Sequence, residues 1–146
     1  MIYRSASEED TIKIAEHIAS HTKKGYMITL SGDLGSGKTF FARAFIKYFF
    51  PSRERAGLNV ISPTFNIVKT YRSPSFTLYH LDLYRLKRIE ELYELDLETI
   101  FQNVSVVEWP NLIYGLRPRE STLQIEIGFF EGNHREFTVE EPTLVL

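Results

Sequence analysis

Residues Gly32, Asp33, Leu34, Gly35, Ser36, Gly37, Lys38 and Thr39 fit the pattern G-x-x-x-x-G-K-[ST] in full. Enclosing a polyphosphate with backbone N–H groups takes several consecutive curved positions, which glycine supplies. It also takes a helix N-terminus beyond them to meet the negative charge. In this pattern Gly35 and Gly37 form the wrap, Lys38 bridges the β- and γ-phosphates as a point charge, and the Thr39 hydroxyl is placed to ligate Mg²⁺. The expected nucleotide-binding set is Asp33, Leu34, Gly35, Ser36, Gly37, Lys38, Thr39 and Phe40.

A Mg²⁺ ion at such a site also needs a carboxylate at the end of a neighbouring apolar strand. Glu108 closes Val104-Ser105-Val106-Val107, and Asp82 closes the run from Phe76 to Leu81. Both are candidates for touching the metal or positioning the attacking water, and the sequence does not say which does which. Proteins specific for guanine carry an N-K-x-D segment that is absent here, so the expected nucleotide is ATP. His80 lies on an alternating strand and reads as a packed or hydrogen-bonded histidine rather than a base. Arg85 and Arg88 read as flanking a solvated helix.

The elements that must hold these groups follow from periodicity. Ser7 and Asp10 resemble a capping box ahead of Ile14, Ala15, Ile18 and Ala19, which predicts a helix near residues 7–21. Tyr26 to Leu30 reads as a strand entering the glycine-rich loop, and Thr39 to Phe50 as the buried helix leaving it. Its phenylalanines at 40, 41, 45, 49 and 50 read as core. Pro51 ends that helix, and residues 52–57 read as an exposed connection. Phe65 to Tyr71 and Phe76 to Asp82 predict an antiparallel hairpin, and Ile89 to Phe101 a helix. Val104 to Val107 predicts a strand, as do Thr122 to Phe129 and Glu136 to Val139. Interleaved strands and helices early and strands late predict an α/β fold, a single domain over residues 1–146. Its central sheet is expected to be mixed, largely parallel and flanked by helices.

Composition narrows the function classes. With 17 Lys and Arg against 19 Asp and Glu, the net charge of −2 gives no cationic field for a nucleic-acid backbone. The chain has no cysteine, which removes disulfides, thiolate nucleophiles and thiolate metal sites and suits a reducing compartment. The N-terminus lacks an apolar stretch of signal-peptide type, and no apolar run approaches a membrane span. A cytoplasmic protein with no membrane partner is expected.

Three further segments follow the glycine-rich loop in order: SPTF at Ser62 to Phe65, HLDLYRL at His80 to Leu86, and VEWP at Val107 to Pro110. Together with GDLGSGKT they resemble the bacterial TsaE family, from about residue 7 to about residue 140. The resemblance implies a small P-loop ATPase of the machinery that makes N6-threonylcarbamoyladenosine at position 37 of tRNA. It implies TsaD and TsaB as partners, contact with tRNA only through them, and hydrolysis that resets the complex. It further implies that Thr64 sits in a switch-like loop with a part in catalysis, beside Asp82 and Glu108, and that Trp109 belongs to the pattern. Ser36 departs from the family, which usually has alanine there. A P-loop small-molecule kinase is the alternative, but it needs an acceptor pocket and an arginine-bearing lid, and the only lid candidate, residues 52–57, is short.

Overall fold

The computed structural model describes residues 1–63, 66–117 and 119–142. A seven-stranded sheet carries the molecule, in the order β1-β7-β6-β2-β5-β4-β3. The strands are β1 (Ile2–Ser5), β2 (Met27–Gly32), β3 (Val68–Arg72), β4 (Thr77–Asp82), β5 (Val104–Glu108), β6 (Thr122–Phe130) and β7 (His134–Glu140). At the centre β6, β2, β5 and β4 run parallel, while β3 at one edge and β7 with β1 at the other run antiparallel to their neighbours. The mixed α/β architecture is as expected, with its parallel part confined to the middle of the sheet.

Helix α1 (Glu8–Ser20) starts where the sequence places it, because the Ser7 side chain accepts from the Asp10 N–H at 3.1 Å. The reciprocal contact is displaced by one residue, since the Asp10 carboxylate accepts from the Ala6 N–H. Helix α2 (Lys38–Tyr48) lies beside α1, and both cover one face of the sheet. Phe41 and Phe45 are fully buried there with Ile28, Leu30, Val104 and Val106. On the other face Met27, Leu81 and Val107 pack under Leu92, Ile100 and Ile113.

Two expectations are refined, and one strand is added. The short β1 carries no alternation long enough to read, and it exists because β7 pairs with all of it, from Ile2 opposite Thr138 to Ser5 opposite Arg135. Residues 52–57 are largely exposed, as expected, but they are not irregular. Ser52–Arg55 forms a four-residue helix, α3, and Arg55 donates to the carbonyls of Tyr48 and Phe50, satisfying the C-terminal end of α2. The helix expected from Ile89 to Phe101 is broken into a 3-10 helix, Ile89–Glu94, and helix α4 (Leu97–Gln102). Asp96 causes the break: its carboxylate accepts from the Thr99 N–H and hydroxyl and starts a new helix instead of continuing the old one.

Candidate nucleotide and metal site

The glycine-rich loop joins the C-terminal end of β2 to the N-terminus of α2, at the end of the parallel strands where open α/β sheets form clefts. Three of its glycines have left-handed backbone, with φ of 151° at Gly32, 81° at Gly35 and 104° at Gly37. Gly32 is also sterically obligatory, because a Cβ there would lie 2.5 Å from the Ile127 carbonyl oxygen and 2.7 Å from Ser36 Oγ. Gly37 is the N-cap of α2 and offers no side chain to the first turn, so the N–H groups of Lys38, Thr39 and Phe40 face outward uncapped.

Lys38 is nearly buried, and its ammonium donates to the carbonyls of Gly32 at 2.7 Å and Asp33 at 2.9 Å. Its third side rests on the Trp109 ring, with Nζ 4.1 Å from the centroid. Burial lowers the Lys38 pKa below the ordinary lysine value, and the nearby carboxylates of Glu108, Asp82 and Asp33 oppose that shift.

Strand register brings the acidic groups to the same place. Asp82 lies directly opposite Glu108 in the β4–β5 pair, and Leu30 flanks Glu108 on β2. Glu108 Oε1 accepts from the Thr39 hydroxyl at 2.8 Å, and its Oε2 lies 2.6 Å from His80 Nε2. Asp82 accepts from the Tyr84 N–H at 3.0 Å and from the Ser62 hydroxyl at 3.5 Å. Both carboxylates are buried. Immediately after Glu108 the chain takes a left-handed turn at Trp109, φ 54°, which stands its ring between Lys38 and Tyr84, 5.0 Å from the tyrosine ring.

These groups line a cavity of about 360 Å³ together with Leu34, Gly35, Gly37, Phe40 and Ser62. Most of the residues singled out in the sequence therefore meet at one cleft. Leu34 is an exposed rim residue, and Asp33 contributes its carbonyl. The Ser36 side chain is fully buried under the loop, away from this cleft. Phe40 is not simply core, since it lines this cavity and a second one, of about 340 Å³, on the other side of Gly37. Arg85 and Arg88 are exposed. Thr64 and Phe65 of the SPTF segment lie outside the described residues.

Tyr84 and Arg135 were not singled out in the sequence. Tyr84 follows Asp82 so closely that its place in the cleft was open to reading. Arg135 was not: from β7 it donates to the Ser36 carbonyl at 3.1 Å and supports the loop from a hundred residues away.

The residues present suit a magnesium-bound triphosphate. An uncapped helix N-terminus, a buried lysine, and a threonine hydroxyl already paired with a buried carboxylate form a matched set of anion and hard-cation donors. Fold and site together define a mixed α/β protein with a glycine-rich loop leading from a central parallel strand into a buried helix.

The model of the family described as "Threonylcarbamoyl adenosine biosynthesis protein TsaE" matches residues 5–137, and the chain belongs to that family. The tRNA threonylcarbamoyladenosine biosynthesis protein TsaE of Rickettsia bellii is 48% identical over 113 residues, covering 77% of this chain and 76% of the relative. Its namesake in Bacillus subtilis is 39% identical over 140 residues, covering 93% and 82%. The crystal structure of Bacillus subtilis YdiB superposes with a TM-score of 0.74 at 35% identity, covering 98% of this chain and 86% of that one.

Proposed function

We propose that the cleft binds Mg-ATP and hydrolyses it, and that this ATPase serves tRNA threonylcarbamoyladenosine biosynthesis in concert with TsaD and TsaB. The observation that carries the reading is the convergence of Lys38, Thr39, Asp82 and Glu108 on one cavity at the uncapped end of α2. The pathway is that in the family's own description and in the names of the relatives.

In this reading the loop N–H groups and the Lys38 ammonium bind the phosphates, and Thr39 with Glu108 or Asp82 holds Mg²⁺. The bound ion supplies charge neutralisation of the phosphate oxygens. The carboxylate not used by the metal orients the attacking water. Trp109 and Tyr84 close the side of the cleft and limit bulk water. The nucleoside is assigned to the second cavity, where apolar Phe40 and Phe137 meet polar Ser7 and Asn133.

Among the described residues lining the phosphate cavity there is no arginine. An arginine finger contributes on the order of 10³ to 10⁵ in rate where one is supplied, so the chain alone is expected to be slow. The kinase alternative is less well supported, because the short segment 52–57 is its lid candidate and one of that segment's two arginines, Arg55, is engaged at the end of α2. Phosphate release measured with and without purified TsaD and TsaB tests the reading. Slow turnover alone and stimulation of at least tenfold in the complex support it. Turnover of several per second alone, unchanged by partners, points to a self-sufficient enzyme.

A further inference from the structure

His80 is fully buried on β4, on the same face of the sheet as Leu78 and Asp82, and its ring reaches across to the end of β5. The Nε2–Oε2 distance to Glu108 is 2.6 Å, between a side chain with no exposed surface and a carboxylate that is itself 2% exposed. A carboxylate only accepts, so the contact puts the ring hydrogen on Nε2. The other ring nitrogen, Nδ1, is buried without a hydrogen-bond partner among the described residues.

That combination is unfavourable for a residue kept for packing. An apolar side chain beside Leu78 and Val106 would fill the space without leaving a buried polar atom unpaired. What the histidine gains is control of Glu108. Thr39 engages Oε1 and His80 engages Oε2, so the plane of the carboxylate is fixed and only one oxygen is turned towards Thr39 and the cleft.

We infer that His80 is a positioning residue that orients Glu108 for the metal side of the site. The inference rests on the Mg-ATP reading above. Outer hydrogen bonds of this kind, when removed from metal-binding carboxylates, typically cost 10–100-fold in metal affinity or activity.

The test compares His80→Asn, whose amide stops near the Nδ1 position, with His80→Gln, whose amide nitrogen extends to the Nε2 position. ATP affinity is measured by calorimetry on the full chain, once with Mg²⁺ and once with EDTA. For His80→Asn, affinity in EDTA should stay within about twofold of the parent, while the gain conferred by Mg²⁺ should shrink by roughly tenfold. His80→Gln should restore that gain to within about threefold, and in a Glu108→Ala background His80→Asn should change nothing further. If the asparagine variant does not fold, His80→Leu, suited to the apolar neighbours, replaces it in the same comparison. An undiminished Mg²⁺ gain in the asparagine or leucine variant overturns the inference, as does a glutamine variant as impaired as they are. A parental chain that binds no ATP in either buffer overturns the Mg-ATP reading as well, whereas normal parental binding confines the failure to His80.

Discussion

At the scale of single residues, burial and partners give each group in the cleft a distinct task. Lys38 is held as an ammonium against a desolvation penalty that lowers its pKa, with Glu108, Asp82 and Asp33 opposing the shift. A bound polyanion favours the charged form, so the complex holds the proton more tightly than the free protein does. ATP affinity should therefore fall as pH rises through the lowered free-state pKa, earlier than an ordinary lysine would require. Lys38→Arg should flatten that decline, since arginine does not titrate there; calorimetry from neutral pH up to the ordinary lysine value of 10.5 checks it, and a parental affinity that is flat over that range counts against the assignment. The same ionisation acts in the opposite sense on folding. The unfolded chain binds this proton more tightly, so the Lys38 contribution to stability grows as pH rises between the two values. Glu108→Gln and Asp82→Asn should each slow single-turnover hydrolysis by tenfold or more and leave ATP affinity measured in EDTA within about threefold, because a metal-side or water-orienting carboxylate acts through the ion and on the transition state and not on the phosphates directly. A variant that hydrolyses at the parental rate returns its residue to a structural role, in the case of Asp82 that of accepting from Tyr84 N–H.

At the scale of elements, the strand, loop and helix around Gly32 to Thr39 were legible because glycine spacing, an apolar run and helical periodicity agree there. The hairpin of β3 and β4 and the strand ending at Glu108 were legible for the same reason, and with them both acidic groups of the site. The break at Asp96 was not, because a cap and a mid-helix aspartate look alike until the Thr99 contacts are known. Gly32 marks where the loop depends on its neighbours. Adding a Cβ there forces a left-handed residue to carry a side chain against the Ile127 carbonyl. Gly32→Ala should cost about 3 kcal/mol from backbone strain and overpacking together. That corresponds to a fall in melting temperature of roughly 10 °C for a chain of this size. Calorimetric melting decides it; a shift below 2 °C means that the loop relaxes around the new methyl.

At the scale of the whole molecule, the sheet order does what no local pattern announces. Placing β2 between β6 and β5 sets the glycine-rich loop next to Glu108, and placing β4 beyond β5 adds Asp82 and His80. Adding β7 and β1 at the far edge lets Arg135 reach the Ser36 carbonyl. The sequence displayed the first two carboxylates as strand ends but gave no sign of Arg135, whose role depends on pairing between opposite ends of the chain. No helix among the described residues is long and apolar enough to cross a membrane. Whether this arrangement binds Mg-ATP is decided by calorimetric titration of ATP with Mg²⁺ into the parental chain and into Lys38→Ala. The parent should show saturable one-to-one binding and the variant a loss of at least tenfold, because the phosphates lose the cation placed for them. Equal affinity of the two proteins, or no binding by the parent, would contradict the Mg-ATP reading.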